Sequence, residues 1–267
     1  MIRAAWIAVD WGTSACRAWA MAEDGSVLAE ARSDKGMGVL DRSGFEPALL
    51  ALVGDWIEGP TPVVACGMVG ARQGWVEAPY TPVPADPRAV TATTAPTTDP
   101  RLRVTVLGGL RQDEPADVMR GEETQIAGVL DARPGFDGVI CLPGTHTKWV
   151  QVSADEIVSF RTFMTGEMFA LLSQHSVLRH SVGDGWDDAS FAEAVGDAMS
   201  KPEAIAQRLF GLRAEHLLRG LDPAAARARL SGFLTGAELA AARAYWLGQQ
   251  VLIVGSEASS APYAKAL

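Results

Sequence analysis

The chain has 267 residues, 48% of them hydrophobic, and a formal net charge of −9, which is length enough for a sizeable core in one large or two medium soluble domains. The acidic balance, with no basic stripe to neutralise a phosphate backbone, argues against nucleic acid as a main partner, but it leaves room for a small anion held by a few backbone N–H groups and local cations. No apolar run nears the roughly 18 residues of a membrane span, and Cys16, Cys66 and Cys141 lack CxxC spacing, so no membrane partner, no disulfide and no structural zinc are expected and the location reads as cytoplasmic.

Met1 to Trp6 reads as running into a strand rather than as a cleavable signal. Residues 6–10, 15–21 and 26–32 then predict three consecutive strands, an antiparallel meander joined by the turns Trp11-Gly12-Thr13 and Glu23-Asp24-Gly25. Ser43 and Glu46 have capping-box spacing, so a helix is expected with Phe45, Leu49, Leu52, Val53 and Trp56 on its apolar face. Next come a strand over 61–66, Gly-, Pro- and Thr-rich loops with one short helix over 67–100, a strand over 104–107 and a helix from Gly121 to Leu130. After the breaker at 131–135 the pattern restarts: strands at 138–142, 148–152 and 156–163, with a turn at Gly144-Thr145. A mostly helical stretch over 165–247, a strand over 250–254 and a helix from near Glu257 complete the chain. Both halves therefore open on strand, Gly-Thr hairpin, strand, strand.

Gly12-Thr13-Ser14 and Gly144-Thr145-His146 can be laid over each other, each behind an apolar strand. Glycine lets a ligand approach the backbone, and the threonine hydroxyl with neighbouring N–H groups can donate to phosphate oxygens. One such hairpin is ordinary turn chemistry. Two facing copies gripping a phosphate chain would explain the duplication. Lys148 runs straight into a strand pattern, which is not the Walker arrangement. Asp10 closes an apolar strand and either caps the next turn or holds a hydrated Mg²⁺. Glu122 and Glu123 fit a solvated first helical turn, facing the positive end of the helix dipole. His146 is the only histidine in a motif; His175, His180 and His216 lack metal spacing.

The segments Asp10–Ser14, Gly67–Trp75, Val118–Gln125, Leu142–Trp149, Phe163–Glu167 and Gly255-Ser256 keep their order from residue 6 to the end. Together they resemble the 2-dehydro-3-deoxygalactonokinase family, within the sugar kinase, hexokinase, heat-shock and actin-like ATPase superfamily. The resemblance implies an α/β fold of two actin-like (ribonuclease H-like) domains, each with a mixed sheet opening on an antiparallel meander. Residues 1–133 would form the sugar-acid side and 134–267 the nucleotide side, with ATP and Mg²⁺ in the cleft between them. It implies Glu123 as base with Glu122 close behind, Asp10 holding Mg²⁺ through water, and Gly12, Thr13, Ser14, Gly144, Thr145, His146 and Lys148 on the phosphates. Gly255 and Ser256 would lie beside adenine and ribose. Gly67, Met68, Arg72, Arg120, Gly166 and Glu167 would bind the substrate. The reaction implied is ATP-dependent phosphorylation of 2-dehydro-3-deoxy-D-galactonate to its 6-phosphate in galactonate catabolism. The rivals are a kinase for another sugar or 2-keto-3-deoxy sugar acid and a nucleotide-binding regulatory protein without turnover. Partners are then a small sugar acid and ATP, an oligomer being compatible with either. Members of the resembled family continue past the position of Leu267 with another strand and helix, so a shortened second domain is expected.

Overall fold

The structure, a computed structural model, describes residues 2–267; Met1, expected at the start of the first domain, lies outside the described residues. The chain forms two compact units, one running through Gly135 and including Asp155–Ile157, the other comprising Phe136–Ala154 and Val158–Leu267. It is an α/β protein with mixed sheets.

In the first unit, β1 (Trp6–Trp11), β2 (Cys16–Met21) and β3 (Val27–Ser33) form the expected meander, and α1 (Phe45–Val53) leads to β4 (Thr61–Gly67), parallel to β1. Next come β5 (Thr81–Pro82), β6 (Ala92–Thr94), β7 (Leu102–Leu107), β8 (Leu110–Asp113), β9 (Ala116–Met119) and α2 (Glu122–Ala132). The main sheet runs β3-β2-β1-β4-β7-β6, and β5-β8-β9 form a small second one. The strand period of two decides which side chains meet the core. Along β1, Ile7, Val9 and Trp11 are buried while Trp6, Ala8 and Asp10 stay half-buried on the other face. Trp11 packs with Phe45 of α1 and with Trp75 at ring separations of 5.1 and 6.2 Å. Each such side chain contributes roughly 1.5–3 kcal/mol by leaving water. Anchoring Trp11 inward leaves Asp10, its neighbour, on the opposite face.

The second unit repeats the device. Strands β10 (Gly138–Leu142), β11 (Thr147–Ser153) and β12 (Glu156–Phe163) are again antiparallel neighbours, and β13 (Val251–Ile253) lies parallel to β10, giving the order β12-β11-β10-β13. Every residue of β10 is buried, as its unbroken apolar run requires. The helical stretch divides into α3 (Thr165–His175), α4 (Asp188–Ser200), α5 (Ile205–Arg219), α6 (Pro223–Ala241) and α7 (Arg243–Trp246), and α8 (Glu257–Ala266) comes after β13. Helices α4 and α6 pack almost backbone to backbone. A Cβ on Gly232 would stand 2.6 Å from the Phe191 carbonyl oxygen, and one on Gly236 2.5 Å from that of Val195.

Three expectations are corrected, and one element is added. The capping box at Ser43 does not form: α1 starts without a side-chain cap, Asp41 accepts the Gly44 N–H, and Ser43 donates to Asp41. Glu46 instead accepts the N–H groups of Thr98 and Asp99 at 2.8 and 2.7 Å, a tertiary use of a residue expected to act locally. Trp56 falls in a 3-10 turn after α1. Instead of the one short helix expected within 67–100, that span holds two short 3-10 helices, at Met68–Gly70 and Pro87–Ala89, and the strands β5 and β6. The β8–β9 hairpin lies outside the expected elements, because its strands are only four residues each, carry charged residues among the apolar ones, and show a strand period only through the burial of Leu110 and Gln112.

The α4–α6 contact makes a quantitative expectation. Gly236→Val gains a few tenths of a kcal/mol of helix propensity, but overpacking against backbone typically costs about 1–3 kcal/mol. Urea unfolding should therefore show a net loss on the order of 2 kcal/mol, and unchanged stability would show that the two helices can separate cheaply.

Candidate functional site

Within the first unit, the candidate residues gather at the carboxyl ends of the parallel strands β1 and β4. The turn after β1 closes with Gly12 N–H donating to the Ala15 carbonyl at 2.9 Å. It is braced from below: Met37 and Gly38 donate to the carbonyls of Gly12 and Thr13, and Gly36 lies against Thr13, Ser14 and Ala15 with no room for a Cβ. Thr13 and Ser14 are exposed at its tip. Asp10 pairs with Arg17, directly across on β2, so in this conformation the carboxylate does not cap the turn.

Gly67 ends β4 at φ +93° and Gly121 precedes α2 at φ +106°, conformations that favour glycine. These two residues touch: a Cβ on Gly121 would be 3.2 Å from the Gly67 Cα, and one on Gly67 would be 2.8 Å from the Trp11 carbonyl oxygen. The start of α2 is thereby held against the ends of β1 and β4. Both Glu123 oxygens accept the Gly121 N–H, at 2.8 and 2.7 Å, and Glu122 accepts the Arg120 N–H at 3.0 Å. The solvated-turn reading fails for Glu123, which is 0% exposed. Burial pushes its carboxyl up to about 7, with the neighbouring Glu122 charge adding to the rise and the Gly121 hydrogen bond opposing it. Burial and the charges of Asp10 and Glu123 push the Cys66 thiol to about 12, so it is no nucleophile.

Arg120 reaches away from α2. Its Nη2 donates to the Ala78 carbonyl at 2.8 Å and its guanidinium lies 4.2 Å from the Tyr80 ring centre, while Nε and Nη1 are buried with no hydrogen-bond partner. Met68 sits in the 3-10 turn after Gly67. The Arg72 side chain is 79% exposed and pairs with Glu77 at 3.6 Å, so it is not brought to Asp10 or Glu123. On the half-buried face of the main sheet, a groove of about 370 Å³ is lined by Ala8, Asp10, Cys66, Gly121 and Thr124 among others.

In the second unit the corresponding edge assembles the turn Pro143–His146, the start of α3 and the Gly255-Ser256 step. Gly166 packs against the Gly144 carbonyl with no room for a Cβ, and Glu167 N–H donates to the Thr145 carbonyl at 2.9 Å. His146 Nε2 donates to the Glu167 carboxylate at 2.6 Å. Gly144, Thr145 and His146 are exposed, whereas Lys148 is 4% exposed and its Nζ donates to the His146 carbonyl at 3.4 Å. Ser256 caps α8 by accepting the Ser259 N–H, and a Cβ on Gly255 would lie 3.5 Å from the Pro143 carbonyl oxygen. Beside this turn is a cavity of about 250 Å³ whose walls include Gly144, Gly166, Trp186, Arg227 and Tyr263.

Thr165 does not cap α3, contrary to its residue type at a helix start. The cap position is Met164, and the Thr165 hydroxyl turns inward to the Glu238 carboxylate. Glu238 and Tyr263 escape sequence reasoning altogether. The available signal is a lone glutamate in the apolar run from Gly232 to Leu239.

Among the described residues no cluster of three or more His, Cys, Asp or Glu side chains could hold a metal, and no helix is long and apolar enough to cross a membrane.

Residues 10–267 match the family described as 2-keto-3-deoxy-galactonokinase. A curated protein of Rhizobium meliloti (strain 1021) described as a 2-dehydro-3-deoxygalactonokinase is 43% identical over 248 residues, covering 89% of this chain and 80% of that protein. The 2-dehydro-3-deoxygalactonokinase of Escherichia coli (strain K12) is 36% identical over 267 residues, covering 98% of this chain and 89% of that one. A crystal structure of a 2-dehydro-3-deoxygalactonokinase protein from Sinorhizobium meliloti superposes with a TM-score of 0.90 at 40% identity, covering 98% of this chain and 87% of that chain. The chain belongs to the 2-keto-3-deoxy-galactonokinase family.

Proposed function

We propose that this chain catalyses ATP-dependent transfer of a phosphoryl group to 2-dehydro-3-deoxy-D-galactonate, giving the 6-phosphate in galactonate catabolism. The observation that carries this reading is the family match over residues 10–267. The two units are read as actin-like domains, residues 1–133 serving the sugar acid and 134–267 the nucleotide, and free thiols at Cys16, Cys66 and Cys141 suit a cytoplasmic enzyme.

The exposed tips Thr13-Ser14 and Gly144–His146 offer hydroxyl and backbone N–H donors to phosphate oxygens. Lys148, held under the second turn, puts a positive charge beneath it. Gly255 and Ser256, next to Pro143, suit the ribose and base end of the nucleotide. A hydrated Mg²⁺ brought in with the nucleotide needs only one or two carboxylates from the protein, and Asp10, whose side chain is 28% exposed beside the first turn, fits that demand without a closed cage of ligands. When bound, the ion neutralises charge on the phosphates. Arg17 already pairs with Asp10, so it would hold the carboxylate in place until then.

Glu123 is the favoured base, because burial brings its carboxyl to about 7, near the pH at which proton transfer is most efficient. It would take the proton of the sugar-acid hydroxyl as the phosphoryl group arrives. Glu122 is the second reading, favoured by its half-exposed position where Glu123 has no exposure. Arg120 suits the substrate carboxylate, since two of its buried N–H-bearing nitrogens lack partners. Gly67 and Met68 would border the sugar. Gly166 and Glu167 would act from the second unit, whereas Arg72 would have to leave Glu77 to take part.

A coupled assay of ADP release over a panel of 2-keto-3-deoxy acids and neutral hexoses tests the function. Release with the galactonate-derived acid is expected. Release only with a neutral sugar or another acid moves the substrate, and silence throughout indicates a nucleotide-binding regulator.

Asp10→Asn keeps the shape and loses the charge, so turnover should fall and the Mg²⁺ requirement should rise together; normal turnover at low Mg²⁺ would rule out the metal role. Lys148→Met should raise KM for ATP more than KM for the sugar acid.

Glu123→Gln should lower kcat by about 10²–10⁴-fold with little change in nucleotide affinity, and Glu122→Gln should be milder. A reversed order would transfer the role to Glu122. The same residue predicts a pH effect on stability. Its folded value is raised, so below the ordinary value near 4.5 neither state is charged and nothing is lost; as pH rises toward about 7 the unfolded chain ionises first and stability drains away. Melting curves should show Glu123→Gln gaining on the parent protein between pH 5 and 8, by up to about 3 kcal/mol. Parallel curves would mean that the folded carboxyl titrates normally.

A further inference from the structure

None of the roles above uses Glu238, yet three side-chain hydrogen bonds converge on its carboxylate. It lies in α6, 3% exposed, and accepts from three neutral donors on three other elements. Trp149 Nε1 of β11 donates at 2.7 Å, the Tyr263 hydroxyl of α8 at 2.8 Å, and the Thr165 hydroxyl of α3 completes the set. Thr147, at the start of β11, donates in turn to Tyr263 at 2.9 Å. Burying a carboxylate is costly even when it is hydrogen-bonded, and apolar replacements for buried ionic groups are often neutral or stabilising. Stability alone is therefore a poor reason for Glu238.

Its partners point to another. Thr165 and Tyr263 both line the cavity of about 250 Å³, together with Gly144 and Gly166, whereas Glu238 itself stands behind that wall. Thr165 immediately precedes Gly166, which packs on the Gly144 carbonyl, and Glu167, which holds Thr145 and His146. A shift in the first turn of α3 would move the whole Gly144–His146 turn. Leu234 and Thr235 of α6 are also in the wall, so the helix that carries Glu238 is tied to the two that face it.

We propose that Glu238 is a positioning residue for the nucleotide: by accepting from α3, α8 and β11 at once it fixes the cavity walls and the turn beside them, and so sets the affinity for ATP without touching it. The proposal rests on the reading of the second unit as the nucleotide side. A positioning group acts through the residues it holds, so its loss and theirs should not add.

The test uses Glu238→Gln, which keeps the volume, and Thr165→Val, which removes one hydroxyl and guards against a failure of the first variant to fold. Steady-state kinetics should show each raising KM for ATP about tenfold, the scale of one lost hydrogen bond to a charged group. KM for the sugar acid should rise clearly less, even though Gly166 and Glu167 follow Thr165 in the same turn, and the double variant should be no worse than the poorer single one. Additive effects would mean that Thr165 contacts the nucleotide independently, and equal rises in both KM values, or a lower kcat at unchanged KM, would mean that Glu238 only supports the fold; each overturns the proposal. Ala258→Trp, which fills the cavity from an exposed position on α8, separates this from the reading beneath it. If it raises KM for ATP while Glu238→Gln and Thr165→Val do not, positioning alone fails. If it leaves KM for ATP unchanged, the cavity does not take nucleotide and both fail.

Discussion

Contact between backbones at glycine, where a methyl group would already collide, sets the geometry of both candidate sites. In the first unit Gly67 and Gly121 meet at positive φ, which joins the end of β4 to the start of α2 and seats Glu122 and Glu123 beside the Asp10 strand. In the second, Gly166 sits on the Gly144 carbonyl and docks the start of α3 onto the turn after β10. Each arrangement sets a strand end against a helix start, where N–H groups without intrahelical partners gather. Substituents at these positions would push the chemistry-bearing side chains away from the strands that aim them.

Two buried glutamates show how the same side chain takes different parts. Glu123 is met by its own N–H, by the Gly121 N–H and, more distantly, by the Thr124 hydroxyl, yet burial outweighs them and its carboxyl rises to about 7. Glu238 is also raised by burial, but Thr165, Trp149 and Tyr263 all oppose the rise. A carboxylate raised to near neutrality is poised to hold or release a proton there. A fully bonded one is better suited to hold other groups still.

The shared arrangement of the two units gives this division a simple basis. Each has a meander whose first strand takes a parallel neighbour, β1 with β4 and β10 with β13, and in each the hairpin turn leaves from the carboxyl end of that first strand. The units differ in the elements added to this shared frame. The first unit adds the β8–β9 hairpin and α2, which supply Arg120 and the two glutamates, while the second adds the helices that enclose the cavity.

Sequence by itself determined the repeated strand pattern, because the short apolar runs at 6–10 and 138–142 are each bounded by turn residues, and it exposed the Gly-Thr turns because their residue types are local requirements. It also placed Glu122 and Glu123 at a helix start. Only the tertiary structure decided that Glu46 serves a loop more than fifty residues away rather than its own helix, that Arg72 points to Glu77, and that Thr165 faces Glu238 instead of capping α3. Which of two adjacent glutamates is buried was equally out of reach, since a one-residue step around a helix turns a side chain by about 100° and only the packed neighbours say which direction is inside. The Glu238 network joins residues 147, 149, 165, 238 and 263. No local period links such positions, because they meet only after α3, α6 and α8 have packed against β11.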